Sequence, residues 1–187
     1  MGRVTHLRSQ IVISSLGHRT NRRATRRAFV ARIPRHAQAL PGRKSYVQGV
    51  TLTKSLFTAG QQCHKLLWWK VHEPGAVELQ PDKVLQDRFD QGAQVGALAR
   101  DEFPGGVAVF ERTFETHDVR IRTDVLLPDG NGLRLIEVKS ASSVKPEHIP
   151  DAAVQAWVLE ENGIDVTGVE IMHLNKDFKH PDQGALL

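Results

Sequence analysis

Three charged residues of one short stretch have types and a spacing suited to hydrolytic chemistry. Asp124 lies in VRIRTDVLLPDGNGLRLIEVK, residues 119–139, and Glu137 and Lys139 follow further along it. Residues two apart on a strand share a face, so Glu137 and Lys139 point the same way. Two converging carboxylates repel each other, and a hard cation such as Mg²⁺ relieves that repulsion. A lysine beside them can hold or polarise a water, or stabilise charge on a phosphate, which suits phosphodiester hydrolysis.

The same pattern also has an ordinary structural interpretation. A Glu-x-Lys alternation is common on half-exposed strands, and Asp124 alone is more often a solvated strand residue. The Ile and Val residues around the three charges predict a central strand, which favours a functional interpretation. The residue pattern alone leaves both interpretations open.

Two helices are predicted before this stretch. Apolar residues recur every three or four positions from Leu52, which predicts a helix that ends near Trp68 and in which Cys63 is a buried small hydrophobe. A second helix is predicted over 82–101, with Asp82 as its N-cap. A Pro-Gly-Gly turn then ends the helical part of the chain.

Three strands, a helix and a last strand are predicted to follow. The strands cover 107–115, 119–127 and 133–140, and the Pro-Asp-Gly-Asn-Gly turn predicts that the last two form a hairpin. A helix over about 150–162 and a strand over 166–174 complete a crossover, so the strands on either side of that helix should be parallel neighbours. The predicted fold is α/β, with a mixed central sheet flanked by helices.

The net charge of +4 hides a division of the chain. Residues 1–50 contain ten Arg, one Lys and no acid, which leaves 14 basic against 21 acidic residues in the remainder. We interpret 1–45 as a poorly foldable segment: a basic arm that binds phosphates, an organelle-type presequence, or a spurious extension from an upstream start codon, the last being favoured. The folded domain is predicted over 46–178, with a tail at 179–187.

Composition excludes several classes of protein. No apolar run approaches the roughly 18 residues of a membrane span. The single cysteine excludes an internal disulfide and an all-cysteine metal site, and a cytoplasmic setting is the simplest expectation. The motifs GxxxxGK[ST], HExxH, CxxC and GxSxG do not occur, so nucleotide-triphosphate hydrolysis, zinc proteolysis and serine hydrolysis lack their usual signals.

The order Asp, Glu-x-Lys, Gln on this frame resembles the PD-(D/E)XK nuclease superfamily. Five segments resemble successive blocks of its RecB-type exonuclease domain, in the bacterial branch related to CRISPR-associated RecB-like nucleases: TLTKSLFTAGQQCHKLLWW, RFDQGAQVGALAR, IRTDVLLPDGNGLRLIEVKSASSVK, PDAAVQAWVLEENGI and VEIMHLNKDF. The resemblance covers about residues 50–178 and implies a restriction-endonuclease-like core. A truncated member, or one domain of a longer protein, is an alternative, since relatives usually continue further.

The resemblance implies a role for each residue of the constellation. Asp124 and Glu137 match metal-binding carboxylates, Lys139 matches the catalytic lysine, and Gln155 matches a helix glutamine that orients the site and contacts nucleic acid. Glu111, on the preceding strand, is a weaker candidate for support of the metal site. The implied cofactor is Mg²⁺ or Mn²⁺.

Two positions depart from the family pattern. Gly92 and Gly96 lie on one helix face, which we expect to approach another backbone closely. Many RecB-type nucleases have a metal-binding His where this chain has Gly96, so one protein ligand is missing or supplied elsewhere. Relatives with an iron–sulfur cluster have several cysteines, and no cluster is expected from Cys63 alone.

The expected activity is metal-dependent hydrolysis of DNA, acting on single strands or duplex ends. Further domains or helicase partners are compatible with it. The alternative is a non-catalytic nucleic-acid-binding or scaffolding module on the same fold. DNA against RNA, and exonuclease against endonuclease, stay open.

Overall fold

The computed structural model describes residues 11–18 and 50–177. The strands are β1 (Ile11–His18), β2 (Leu52–Thr53), β3 (Val109–Phe110), β4 (Thr113–Thr116), β5 (Val119–Arg122), β6 (Val125–Asp129), β7 (Gly132–Lys139) and β8 (Val166–Leu174). The α-helices are α1 (Lys54–Gln62), α2 (His64–His72), α3 (Lys83–Asp101) and α4 (His148–Glu161), and a short 3₁₀ turn covers Val77–Leu79.

The main sheet has five strands in the order β1-β8-β7-β6-β3, and a second sheet has the order β2-β5-β4. Strands β7 and β8 are parallel, and α4 makes the crossover between them, as the sequence predicts. Strands β6 and β7 form the predicted antiparallel hairpin, in which Asp129 pairs with Gly132. Gly130 has a φ of 61° in this turn, a conformation that glycine adopts without steric cost. The fold is therefore α/β with a mixed sheet.

The predicted strand 119–127 is wrong as a continuous element, because the chain leaves one sheet and enters the other at Thr123 and Asp124. Buried Thr123 bonds to the backbone of Arg112 through its amide and its hydroxyl. The side-chain alternation shifts across this break, so Ile121 packs in one core cluster and Val125 in the other. The predicted strand 107–115 is likewise divided, into β3 and β4.

The helices lie close to the predicted positions, but the first one is not continuous. The predicted first helix is broken at Cys63, whose extended backbone separates α1 from α2. Cys63 is exposed, so the prediction of a buried small hydrophobe is wrong. Helix α3 begins as predicted, because the Asp82 carboxylate accepts a hydrogen bond of 2.7 Å from the amide of Leu85.

Two apolar clusters cover the two faces of the main sheet. One joins Leu126 and Leu135 to the inner face of α4, and the other joins Val125 and Ile136 to Ala99 of α3. Alternate residues of β7 therefore point to opposite helices. Strand β7 is central and its middle residues are buried, which places Glu137 in the interior.

One part of the predicted unfolded arm belongs to the sheet. Residues 11–18 form β1, which pairs antiparallel with β8, and Ile11 is buried in the core. The interpretation of residues 1–45 as a poorly foldable segment is wrong for this strand, whose Ile11 side chain is buried at the edge of the sheet. The remainder of 1–45, residues 46–49 and 178 of the predicted domain, and the tail at 179–187 lie outside the described residues.

Within the described residues, none of the helices combines the length and the apolar character needed to cross a bilayer.

Candidate active site

The site is built around the carboxylate of Glu137, which is only 1% exposed in the middle of β7. Its two oxygens accept three hydrogen bonds and make one further ion-pair contact. The Lys54 ammonium lies 2.9 Å from Oε1 and 3.1 Å from Oε2, the Lys139 ammonium lies 2.8 Å from Oε1, and the Gln155 side-chain amide donates to Oε2 at 2.6 Å. A buried carboxylate is costly unless it is paired, and here two cations and an amide pair it.

Helix α4 supplies the residues that hold Lys139 and Gln155 in place. Asp151 and Gln155 are four residues apart and so lie on one face of α4, directed at β7. The Asp151 carboxylate bonds to the ammonium of Lys139, and the Gln155 side-chain amide also donates to the Asp151 carbonyl at 3.1 Å. The crossover therefore brings α4 against the strand that carries Glu137 and Lys139.

Asp124 reaches the same point from the break between β5 and β6. Its Oδ2 accepts a hydrogen bond of 2.8 Å from the amide of Val138, which fixes the carboxylate beside β7. Its Oδ1 lies 3.9 Å from the ammonium of Lys54, the cation that also contacts Glu137. Two carboxylates from different strands thus converge on one ammonium.

The carboxyls of this site differ in their pKa values because their neighbours differ. Burial raises the pKa of Asp124, and the charge of Glu137 raises it further to about 7, although Lys54 and the Val138 amide lower it. Burial also raises the pKa of Glu137, but Lys54 and Lys139 outweigh burial and hold it at about 2. One carboxyl is therefore ionised at neutral pH while the other is close to its titration point.

Lys139 is held in its charged form. Burial lowers the pKa of Lys139, but the charges of Glu137 and Asp151 outweigh burial and raise it above its ordinary value. Lys139 is therefore an ammonium donor at neutral pH, and it has no free electron pair with which to accept a proton.

The donor set fits a small hard cation. Among the described residues there is no group of three or more His, Cys, Asp or Glu side chains arranged to bind a metal ion. Mg²⁺, however, is often bound by only one or two carboxylates together with waters and substrate phosphates. Asp124 and Glu137 supply two carboxylates at one point, and the buried oxygens Oδ1 of Asp151 and Oε1 of Gln155 have no hydrogen-bond partner within the described part of the chain.

An open cleft of about 520 Å³ borders the site on the α3 side. Asp124 and Val138 line it together with Arg100 and Arg122. Glu137 and Lys139 alternate with Val138 on β7 and project from the opposite face of the strand. Asp124 therefore connects the buried constellation to an open cleft that carries two guanidinium groups.

Gly92 and Gly96 line this cleft, and a Cβ built on either would meet no atom within 4 Å. The expectation that this face approaches another backbone closely is therefore wrong. At Gly96 the cleft has room for a side chain, but the chain supplies no ligand from that position. The two glycines instead leave the wall of the cleft open beside Asp124.

Glu111 lies in the same cleft but outside the carboxylate cluster. It sits between β3 and β4 with a φ of 51°, and its amide donates to the carbonyl of Asp124 at 3.2 Å. Its carboxylate is half exposed and lies 3.0 Å from the guanidinium of Arg100. Glu111 contacts Asp124 through the backbone alone, whereas Asp124, Glu137, Lys139 and Gln155 form the constellation.

Sequence reasoning missed two residues of the site, Lys54 and Asp151. Asp151 was detectable, because it precedes Gln155 by four residues and so shares its helix face. Lys54 gave no such signal: it is the first residue of α1, behind the N-cap Thr53, and lies 83 positions before its partner Glu137. Only the packing of α1 against the sheet reveals its role.

The raised pKa of Asp124 predicts a pH-dependent stability in chelator. A carboxyl whose pKa is raised on folding contributes stability below its unfolded value, near 4, and loses it as the pH rises towards about 7. The side chain of Asp124→Asn cannot ionise, so this variant avoids the loss. Between about pH 5 and about pH 8 its free energy of unfolding should rise relative to that of wild type by on the order of 1–2 kcal/mol, allowing for screening. Urea unfolding in EDTA at both pH values measures this difference.

The control for this measurement is Asp87→Asn on the exposed surface of α3. It should follow the wild-type pH dependence. Parallel curves for Asp124→Asn and wild type would show that the Asp124 carboxyl is not perturbed by its neighbours.

Comparisons with known proteins give no family for this chain. No family model matches the sequence, and no curated protein matches it. The crystal structure of SSO0001 is similar over 72% of this chain and 66% of that chain, with 13% identity and a TM-score of 0.39. The chain thus spans just under two thirds of that protein, and a TM-score this low supports neither a common fold nor a common function.

Proposed function

We propose that this protein is a nuclease that hydrolyses phosphodiester bonds of DNA with Mg²⁺ or Mn²⁺, on a restriction-endonuclease-like core. The observation that carries the proposal is the convergence of Asp124 and Glu137 on one cation position, next to a lysine that two carboxylates hold. The order Asp, Glu-x-Lys, Gln along the chain supports it as well.

Asp124 and Glu137 would hold the divalent cation. Such a cation supplies positive charge for the phosphate and makes a water molecule more acidic. Burial raises the pKa of Asp124 most, and cation binding would relieve the repulsion from Glu137 that raises it further. Gln155 orients Glu137 by a 2.6 Å hydrogen bond, so the carboxylate keeps one position on the strand.

Lys139 would act as a positively charged hydrogen-bond donor rather than as a general base. Its raised pKa keeps it protonated, so its ammonium can hold an attacking water by hydrogen bonding or stabilise negative charge that develops on the phosphate. The bonds to Glu137 and Asp151 fix the position of the ammonium before substrate arrives. Preorganisation of this kind is the usual source of electrostatic catalysis.

The cleft beside Asp124 suits an anionic chain. Arg100 and Arg122 line it beside the acids Glu111 and Asp124, and Gly92 and Gly96 place no side chain on its helix wall. Guanidinium groups pair with phosphates in a bidentate manner, and such contacts fix the register of a nucleic acid without reading its sequence. This supports a nucleic acid as the substrate.

A second candidate function is a non-catalytic nucleic-acid-binding or scaffolding module. The observation in its favour is that Lys54, Lys139 and Gln155 already fill the acceptor sites of Glu137. Such a network can be a purely structural one, in which two lysines neutralise buried acids. DNA binding through the arginines of the cleft would then need no metal.

Cleavage assays distinguish the two candidates. The purified protein should degrade labelled single-stranded DNA and linear duplex DNA with Mg²⁺ or Mn²⁺ and should lose this activity in EDTA. Closed circular DNA, tested in parallel, shows whether cleavage requires a DNA end. RNA of matched sequence shows whether it requires deoxyribose. DNA binding without metal-dependent cleavage of any of these substrates would instead favour the scaffolding module.

A further inference from the structure

The acceptor sites of Glu137 are fully used in this structure. A carboxylate has about four lone-pair sites, and Lys54, Lys139 and Gln155 make four close contacts with it, three hydrogen bonds and one ion pair. A divalent cation can therefore bind Glu137 only if one of these donors gives up its place. Which donor leaves determines how the site switches from its metal-free to its metal-bound form.

Lys139 and Gln155 are the harder donors to displace. Lys139 is held at a second point by the Asp151 carboxylate, and Gln155 is fully buried and bonded to the Asp151 carbonyl. Each therefore has an anchor on α4 that is independent of Glu137. Moving either donor would disrupt the packing between α4 and β7.

Lys54 differs in position and in partners. Its ammonium lies 2.9 and 3.1 Å from the Glu137 oxygens and 3.9 Å from Oδ1 of Asp124, the two carboxylates assigned to the cation. The side chains of Lys54 and Lys139 are about equally exposed, at 24% and 22%, so the difference between them is the partner: Lys139 is anchored on Asp151, whereas among the described residues the Lys54 ammonium contacts only the two carboxylates assigned to the cation. Lys54 thus places a positive charge where both metal-binding carboxylates converge.

We propose that Lys54 is an internal cation that holds the place of the divalent metal in the metal-free protein and is displaced when metal binds. This inference rests on the proposed function and adds a regulatory element to the same site. Two cations cannot share this position, because like charges a few ångströms apart repel strongly in a partly buried site. The ammonium therefore lowers metal affinity while protecting the metal-free fold from carboxylate repulsion.

Calorimetric titration of the full chain with MnCl₂ tests the displacement. Lys54→Met removes the competing charge but keeps an unbranched side chain, so the dissociation constant for Mn²⁺ should fall by roughly tenfold or more. Lys54→Arg keeps the charge and should bind Mn²⁺ with an affinity near that of wild type. Lys83→Met is the matched control, since Lys83, like Lys54, is the first residue of a helix after an N-cap residue, but Lys83 is exposed.

A second measurement uses the unaltered protein, so it does not depend on how Lys54→Met folds. A short pulse of acetic anhydride followed by peptide mass spectrometry gives the acylation rate of each lysine. Mn²⁺ should accelerate acylation at Lys54, since displacement frees its ammonium from two carboxylates. Acylation at Lys83 should stay unchanged.

The outcomes separate this inference from the function on which it rests. Two results would overturn the displacement while leaving the nuclease proposal standing. In the first, wild type binds Mn²⁺ and Lys54→Met binds it no more tightly. In the second, Mn²⁺ protects Lys54 from acylation. Absence of Mn²⁺ binding to wild type and to every variant overturns both. Binding by Lys54→Met alone would show that Lys54 blocks the position without being displaced from it, which overturns the displacement.

Discussion

Lys139→Met is expected to lower the rate of metal-dependent DNA cleavage by about 10²–10³-fold, the effect of removing one preorganised donor from a site of developing charge. Because Lys139 is protonated and held by Glu137 and Asp151, its loss removes a fixed positive charge from the proposed reaction centre. Single-turnover cleavage of labelled DNA with saturating Mn²⁺ measures the chemical step.

Two comparisons make this result specific to catalysis. Lys70→Met, on the exposed surface of α2, should cleave DNA at the wild-type rate. DNA binding by Lys139→Met, measured by fluorescence anisotropy in EDTA, should change much less than its cleavage rate. Equal losses of binding and cleavage would make Lys139 a binding residue and remove its proposed catalytic role.

Glu137→Gln is expected to destabilise the metal-free protein by about 3–5 kcal/mol, the usual cost of breaking a buried charge pair. The substitution leaves Lys54 and Lys139 without the carboxylate that both contact. It also replaces the carboxylate oxygen that accepts the Gln155 hydrogen bond by a neutral amide, which is a weaker acceptor. Urea unfolding in EDTA at neutral pH measures the loss in the free energy of unfolding.

A surface ion pair and a double variant provide the controls. Glu115→Gln breaks the exposed pair between Glu115 and Arg120 and should cost less than about 1 kcal/mol. Adding Lys54→Met to Glu137→Gln should recover part of the stability, since one unpaired ammonium is then removed. Strictly additive losses would contradict the contact between Lys54 and Glu137.

Local signals in the sequence were sufficient to predict the C-terminal half of the fold. The run VTGVEIMHL between turn residues defines β8, and a helix of suitable length before it requires a parallel crossover to β7. The Pro-Asp-Gly-Asn-Gly turn similarly fixed the hairpin of β6 and β7. Because Glu137 and Lys139 are two apart on β7, and Gln155 lies on the crossover helix, their proximity followed from this topology.

Long-range packing produced the features that the sequence did not predict. Lys54 reaches Glu137 only because α1 begins beside the sheet, and no local pattern encodes that approach. The apolar and polar residues of 119–127 alternate as they would in one continuous strand. The chain nevertheless passes from one sheet to the other at Thr123 and Asp124. Cys63 has helical spacing to its neighbours, yet an extended backbone at this residue starts a new helix.

The pairing of β1 with β8 has a consequence for shortened versions of this chain. Strand β8 is covered by β7 on one side and by Ile11–His18 on the other. A protein that started after His18 would leave the backbone amides and carbonyls of β8 open along a strand of nine residues. Such an edge is a template for intermolecular strand pairing. Removal of the whole basic segment would therefore also remove β1 and expose an edge prone to aggregation.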